Sequence, residues 1–264
     1  MRLVFLGSPE AAVPSLEALA AEHDVALVVT QPDRRRGRGS DLVPTPVKAA
    51  AVRRGLAVSE RVDDVLDVGA ELGVVVAYGR IIKPHVLDAL PMVNVHFSLL
   101  PRWRGAAPVE RAILAGDPIT GVCLMRVDVG LDTGDVFARR EVAINEEVTA
   151  AELTMQLAEI GARLLVDTLR DGLGDAEPQQ GEPNYAAKID ASELRLDLSQ
   201  PPEQLARVVR LGRAWTTVNG KRLIVWRSRV VDGRFEPLEV QPEGKGRMTA
   251  TEWRRGVGDV ELGT

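Results

Sequence analysis

The chain has 264 residues, with 33 Lys and Arg against 38 Asp and Glu and a formal charge of −5. That length suits one large domain with a smaller companion, and the acidic balance argues against a dedicated nucleic-acid binder. The single cysteine, Cys123, excludes an internal disulfide and a cysteine-based metal site.

Residues 2–6 (RLVFL) read as a strand closed by Gly7. The apolar run is too short for a secretory signal, and no window approaches the ~18 apolar residues a membrane span needs. A cytoplasmic protein without a membrane contact is therefore expected. Ser8 and Pro9 have the chemistry of a helix cap and first helical residue, but Pro14 shifts the main helix to residues 14–21. VALVV (25–29) is a second strand. Neither strand alternates apolar with polar residues, the pattern of strands covered on both faces.

Residues 31–44 (QPDRRRGRGSDLVP) form a basic, glycine-rich loop, after which Thr45 and Pro46 cap a helix that Gly55 ends. A short strand over 56–58, a helix over 63–72 and a strong strand over 74–78 (VVVAY) follow, and Pro84 opens a helix through Leu90. MVNVHF (92–97) is a strand with polar residues where a core strand should have none. Strands over 121–127 and 136–144 flank the turn DVGLDTGD, and Thr149 with Glu152 forms a capping box for the longest helix.

This rhythm predicts an α/β fold with a Rossmann-like open, mostly parallel sheet over residues 1–183. A linker is expected over 184–200, and a second, smaller β domain over 201–264. There a helix precedes alternating strands with turn signals at Asn219-Gly220 and Asp232-Gly233. This last region holds 12 basic and 8 acidic residues, a local excess that permits contact with a polyanion.

Asn94 and His96 are two residues apart on a strand, so their side chains share a face. They sit at the strand's C-terminal end, where open α/β sheets bind ligands. Asp132 lies in another loop after a strand. Together the three suit acyl transfer to an amine. His96 would take and return the amine proton, Asp132 would hold the imidazole, and Asn94 would donate to the oxyanion. Each also has a plainer reading: a structural histidine, a turn-capping asparagine, a turn-forming aspartate. His23 and His85 lack ligand spacing with His96, so no metal is expected. Cys123, in an apolar run, reads as a small buried hydrophobe.

The stretch SLLPRWRGAAP (98–108) places Arg102 and Arg104 around Trp103, with Gly105 next. It reads either as a rim loop offering charge and an aromatic face or as a loop packed by Trp103 with solvated arginines. Arg34, Arg35, Arg36 and Arg38 form either a solvated loop or one that closes over a phosphate backbone. Neither GxxxxGK[ST] nor GxGxxG occurs, which removes the main support for a nicotinamide cofactor.

NVHFSLLPRWRGAAP, then GDPITGVCLMRVDVGLDTGDVF, resemble the catalytic core of the methionyl-tRNA formyltransferases. VFLGSPEAAVPSLEAL, QPDRRRGRGSDLVPTPVK, VVVAYGRII and LEVQPEGKGRMTATEW extend the resemblance over nearly the whole chain. It implies transfer of a formyl group from 10-formyltetrahydrofolate to the α-amine of initiator methionyl-tRNA. The catalytic residues would be Asn94, His96 and Asp132. The reduced folate would lie against Tyr78, Gly79, Arg80, Ile81 and Ile82, and against Val127, Gly130 and Leu131. The amine acceptor would meet Ser98, Leu99, Leu100, Pro101, Arg102, Arg104 and Gly105. The acceptor stem would meet Arg34, Arg35, Arg36, Arg38 and Lys48. The C-terminal part resembles the family's OB-like β-barrel domain, shortened after VVDGRF, and LGRAWTTVNG replaces an NPWPGA-like stretch. Phe97 stands where a small residue is common and would narrow the amine site. A monomer is expected.

Two other functions are open on the same residues. One is formylation of another primary amine, such as a nucleotide-linked amino sugar, which would not need the basic insertion. The other is a non-catalytic RNA-binding module.

Overall fold

The structure is a computed structural model and describes residues 1–35, 42–258 and 260–264. Two compact units are drawn from interleaved stretches of chain. One comprises Met1–Pro108, Thr120–Val142 and Thr154–Ala186; the other comprises Val109–Ile119, Ala143–Leu153 and Ala187–Thr264.

The first half of the chain supplies β1 (Arg2–Gly7), α1 (Val13–Glu22), β2 (Asp24–Val29), β3 (Arg34–Arg35), β4 (Leu42–Val43), α2 (Pro46–Arg53), β5 (Val58–Ser59), β6 (Leu72–Val76), α3 (Pro84–Ala89), β7 (Met92–His96) and β8 (Arg104–Gly105). Then come α4 (Pro108–Ala115), β9 (Ile119–Arg126), β10 (Val136–Ala143), α5 (Ala150–Asp171) and β11 (Tyr185–Ala186). Seven strands form one sheet in the order β10-β9-β7-β6-β1-β2-β5. The pairs of β1 with β2 and β6, of β2 with β5, and of β6 with β7 are parallel; β7 and β9 run antiparallel. The sheet is thus mixed but mostly parallel, as the strand–helix rhythm predicts.

The apolar runs of β1 and β6 are buried almost throughout, so both faces of the sheet must be covered. On one face Val4, Leu6, Leu27, Val29, Val75 and Met92 cluster with Val86 of α3 and Val65. On the other, Gly161 lets α5 settle onto the sheet: a Cβ there would lie 2.7 Å from Val95 Cγ1 and 3.2 Å from Val122 Cγ1. Two caps follow the sequence closely. Thr45 Oγ1 accepts the Lys48 amide at 3.1 Å. Thr149 and Glu152 exchange hydrogen bonds at the start of α5.

The helix expected over 63–72 does not form. A single 3-10 turn covers Val62–Leu66 and residues from Leu72 onwards are already strand. Gly69, at φ 62°, interrupts the run between them, and burying Leu72 beside Leu3 in the sheet outweighs local helix propensity. The helix α4 is an addition to the expected elements; its Val109, Ala112 and Ile113 face inward at helical spacing.

The second unit contains α6 (Pro202–Arg210), β12 (Ala214–Val218), β13 (Lys221–Val231), β14 (Arg234–Pro242), β15 (Met248–Thr249) and α7 (Ala250–Val257). The strands form an antiparallel sheet in the order β12-β13-β14-β15. Both hairpin turns are those the sequence marks. Asn219 and Gly220 have φ of 50° and 71°, and Asp232 and Gly233 have 50° and 69°, the positive-φ pairs that match the twist of flanking strands. Leu205 and Val209 of α6 and Trp253 of α7 pack with Leu223, Val225 and Val240 to make its core. The shortened β domain is therefore a small antiparallel sheet with helices against its apolar face. The helix α7, unexpected from sequence, is capped by Thr249 and Glu252.

Candidate active site

In the first unit, a cavity of about 530 Å³ opens at the C-terminal ends of β6 and β7. Asn94 and His96 of β7 line it from one side, and Asp132, Gly130, Leu131 and Val127 from the loop after β9. Tyr78, Gly79, Arg80, Ile81 and Ile82, following β6, complete the wall. All eight residues expected to hold the folate thus lie on this cavity together with the three expected to be catalytic. Ile81, Val129 and Leu131 are 90%, 75% and 61% exposed, so large apolar side chains stand exposed beside the opening.

Alternation along β7 accounts for the polar pair. Val95 packs beside Gly161 of α5, while Asn94 and His96 share the opposite face of the strand and line the cavity. Phe97 follows the Val95 side: its ring edge and Val95 both lie beside Gly161 of α5. Phe97 also lines the cavity beside His96.

His96 is only 6% exposed. Its Nε2 lies 2.9 Å from the carbonyl oxygen of Trp103, and its Nδ1 lies 3.7 Å from Asp132 Oδ2. The same carboxylate oxygen accepts the Gly105 amide at 2.7 Å.

Three residues other than glycine around this site have left-handed backbone conformations: Ala77 at φ 46°, Trp103 at 63° and Asp132 at 50°. Such conformations cost on the order of 1–3 kcal/mol and gather where a surrounding framework holds them for a purpose. Around Tyr78 part of that framework is polar. Gln31 donates through Nε2 to the Tyr78 carbonyl at 3.1 Å, and its own amide donates to Ser8 Oγ at 3.1 Å. Burial raises the Tyr78 phenol above its ordinary range.

The acceptor-side loop is folded largely on itself. Ser98 is fully buried and donates to the Arg102 carbonyl at 2.6 Å. The Arg102 amide donates to Leu99 at 3.1 Å, and the Arg102 guanidinium lies 4.5 Å from the Trp103 ring centre. Leu100 joins Cys123, Met125 and Val136 in a small core, and burial pushes the Cys123 thiol up. The peptide bond between Leu100 and Pro101 is cis. Arg104 turns to Gln179, donating through Nε and Nη2 at 3.0 and 2.6 Å. Only Gly105 of this loop's expected contacts lines the cavity. Gly105 also has φ 118°, and a Cβ there would stand 3.0 Å from the Ala186 carbonyl oxygen. No other residue type meets both demands.

Arg34 and Arg35 are exposed on β3, which pairs with β4; Arg36 and Arg38 lie outside the described residues. Lys48, on α2, is engaged. It donates to Asp33 at 2.8 Å and Glu60 at 3.3 Å, and the bond to Asp33 raises its pKa. None of these residues lines the cavity. Gln179 had no signal in the sequence: it lies in a stretch rich in Gly, Pro and polar residues that resembles a linker.

A formyl transferase family model matches residues 1–169. A methionyl-tRNA formyltransferase of Jannaschia sp. (strain CCS1) is 43% identical over 97% of this chain and 97% of its own. Among solved structures, a methionyl-tRNA formyltransferase from Clostridium thermocellum superposes with a TM-score of 0.70 over 93% of this chain and all of its own, at 17% identity. An N-formyltransferase from Helicobacter canadensis, in complex with folinic acid and dTDP-3-aminofucose, gives 0.69 over 87% of this chain and 88% of its own, at 19% identity. At those identities the structures show a shared fold alone. The family match over more than half the chain and the near full-length relative go further: the chain belongs to the methionyl-tRNA formyltransferase family and carries its formyl-transfer activity.

Proposed function

We propose that this chain moves the formyl group of 10-formyltetrahydrofolate to the α-amine of methionine on initiator tRNA, with Asn94, His96 and Asp132 as its catalytic residues. The observation that carries the reading is the meeting of all three at one cavity with the Tyr78–Ile82 and Val127–Leu131 walls. Its volume lies within the range of small-molecule sites, and its mixture of backbone edges and apolar side chains suits a flat heterocycle. The folate is a substrate consumed in each turnover.

In this reading the amine nitrogen attacks the formyl carbon, forming a new C–N bond and a tetrahedral oxyanion. The Asn94 amide donates to that oxyanion. A carbonyl can only accept, so the bond to Trp103 leaves Nε2 protonated and Nδ1 as the atom that takes the amine proton. Asp132 stabilises the resulting imidazolium from 3.7 Å. The folate C–N10 bond then breaks, and His96 returns the proton to N10. No covalent bond to the enzyme forms.

On the acceptor side, Ser98 to Gly105 shape the wall next to the amine, and Arg34, Arg35, Arg36, Arg38 and Lys48 meet phosphates of the acceptor stem. Lys48 would reach RNA only by leaving Asp33 and Glu60. We assign catalysis to residues 1–183, a linker role to 184–200 and an accessory tRNA contact to 201–264, in a monomer acting in the cytoplasm. Among the described residues no helix is long and apolar enough to cross a membrane.

Incubation with labelled 10-formyltetrahydrofolate and either charged initiator tRNA or amino-sugar nucleotides tests the reading. Label should enter formylmethionyl-tRNA. Label only in the sugar would replace tRNA as acceptor, and tRNA binding without transfer would favour the non-catalytic alternative.

A further inference from the structure

Gln179 occupies a place that the reaction as described leaves unexplained. Its half-buried side chain makes four hydrogen bonds. Nε2 donates to the carbonyls of Asp132 at 2.9 Å and Gly134 at 2.7 Å. Oε1 accepts both Arg104 donors, at 3.0 and 2.6 Å. The carboxylate of the same Asp132 accepts the amide of Gly105, the residue after Arg104.

These bonds close a ring. Two adjacent residues of the loop after β7 grip Asp132 twice: Gly105 through the carboxylate, and Arg104 through Gln179 to the backbone. We infer that Gln179 is a positioning residue for Asp132, holding the carboxylate at its distance from His96 by pinning the backbone carbonyls of Asp132 itself and of Gly134 just after it.

Two features make this more than a surface contact. Asp132 has φ 50°, a sparsely populated conformation that persists where its surroundings fix it. The chemistry of the four partners also fixes the amide's orientation. The two carbonyls need donors and the guanidinium needs an acceptor, so only a group with both, on a side chain of this length, satisfies all four.

The segment around Gln179 is tied down on both sides. The amides of Val136 and Glu177 donate to each other's carbonyls at 2.8 and 2.9 Å. Further on, Asn184 accepts the Trp103 amide through Oδ1 at 2.6 Å and the Arg104 amide through its carbonyl at 3.0 Å. Trp103 is the residue whose carbonyl holds His96 Nε2. The stretch from Glu177 to Ala186 therefore braces the backbone behind both members of the His96–Asp132 pair.

This inference rests on the reading of Asp132 as a catalytic residue, and the test separates the two. Q179E and Q179A are compared with D132N and the unaltered full chain. The readouts are kcat, the folate KM, the pH profile of kcat and the melting temperature. Q179E keeps size and the Arg104 contact but sets a carboxylate oxygen against two carbonyls.

Q179E should lower kcat about 10- to 100-fold, the scale of a small misplacement of reacting groups. The folate KM should change little. Activity should recover partly at lower pH, where the introduced acid regains a proton to donate. Q179A should lose a similar factor with no such pH dependence. Wild-type kcat in both Gln179 variants, with D132N inactive, would overturn the inference and leave the mechanism standing. So would a loss that follows melting temperature alone with an unchanged pH profile. Wild-type activity in D132N would remove the catalytic reading on which both depend.

Discussion

The imidazole of His96 is held through Nε2 by the main-chain carbonyl of Trp103 at 2.9 Å, leaving Nδ1 toward Asp132. In the proposed reaction this contact decides which ring nitrogen takes the amine proton. Nothing in the spacing of these residues along the chain reveals that assignment, because the holding group is a backbone oxygen on a left-handed residue.

Removing the ring tests its role directly. H96A should reduce kcat about 100-fold or more, the usual contribution of a positioned acid–base group, while folate binding by fluorescence titration stays within a few-fold. D132N should fall by a comparable factor. Turnover near wild type in H96A would mean that the amine loses its proton elsewhere.

Gly105 offers a second test, since its amide holds the Asp132 carboxylate. G105A puts a methyl group 3.0 Å from the Ala186 carbonyl oxygen at a φ of 118°. Stability should fall by about 1–3 kcal/mol, seen by urea denaturation. Activity measured well below the melting temperature should fall as well. Full activity in a destabilised variant would show that the Asp132–Gly105 bond does not set the site.

The basic loop is tested by salt. Replacing Arg34, Arg35, Arg36 and Arg38 with glutamine should weaken tRNA binding. The slope of log affinity against log salt should shrink by about one for each phosphate that is no longer neutralised. Binding curves over a range of potassium chloride concentrations would show it. An unchanged slope would leave the loop as solvated surface.

Glu152 carries a pH-dependent share of stability. Its carboxylate accepts the Thr149 amide and hydroxyl and pairs with Arg227 at 2.6 Å, which hold its pKa at about 2 against an ordinary 4.5. Because the folded-state value is depressed, the stabilisation is complete above about pH 4.5 and fades as pH falls towards 2. Half-exposed as this side chain is, E152Q should cost about 0.5–1 kcal/mol at pH 7. The gap between variant and wild type in urea melts should narrow below pH 4.5. A constant gap would mean the cap acts without its charge.

How far the sequence reaches differs between elements. The buried strands announce themselves as short apolar runs, and the Asn219-Gly220 and Asp232-Gly233 turns are explicit, because each signal is local. The pairing of His96 with Asp132 is suggested by strand ends, yet its geometry depends on the Trp103 carbonyl and the Gly105 amide, groups every residue possesses. Gln179 is hidden for a related reason: a glutamine between Gly and Pro residues reads as solvated chain until its partners are placed around it. Residues 63–72 mislead because local helix propensity competes with a place for Leu72 in the sheet, and burial wins.

The interleaving of the two compact units constrains how the molecule can be divided. The smaller one contains Val109–Ile119 and Ala143–Leu153 besides everything after Ala186. Arg111 pairs with Glu193 at 2.7 Å, and Arg210 donates to the Val148 and Asn145 carbonyls. A stop codon after Ala186 would strip those two inserted stretches of their partners, and a fragment starting at Ala187 would lack them altogether. A cut after Ala186 therefore leaves neither piece with the full set of contacts that builds the smaller unit.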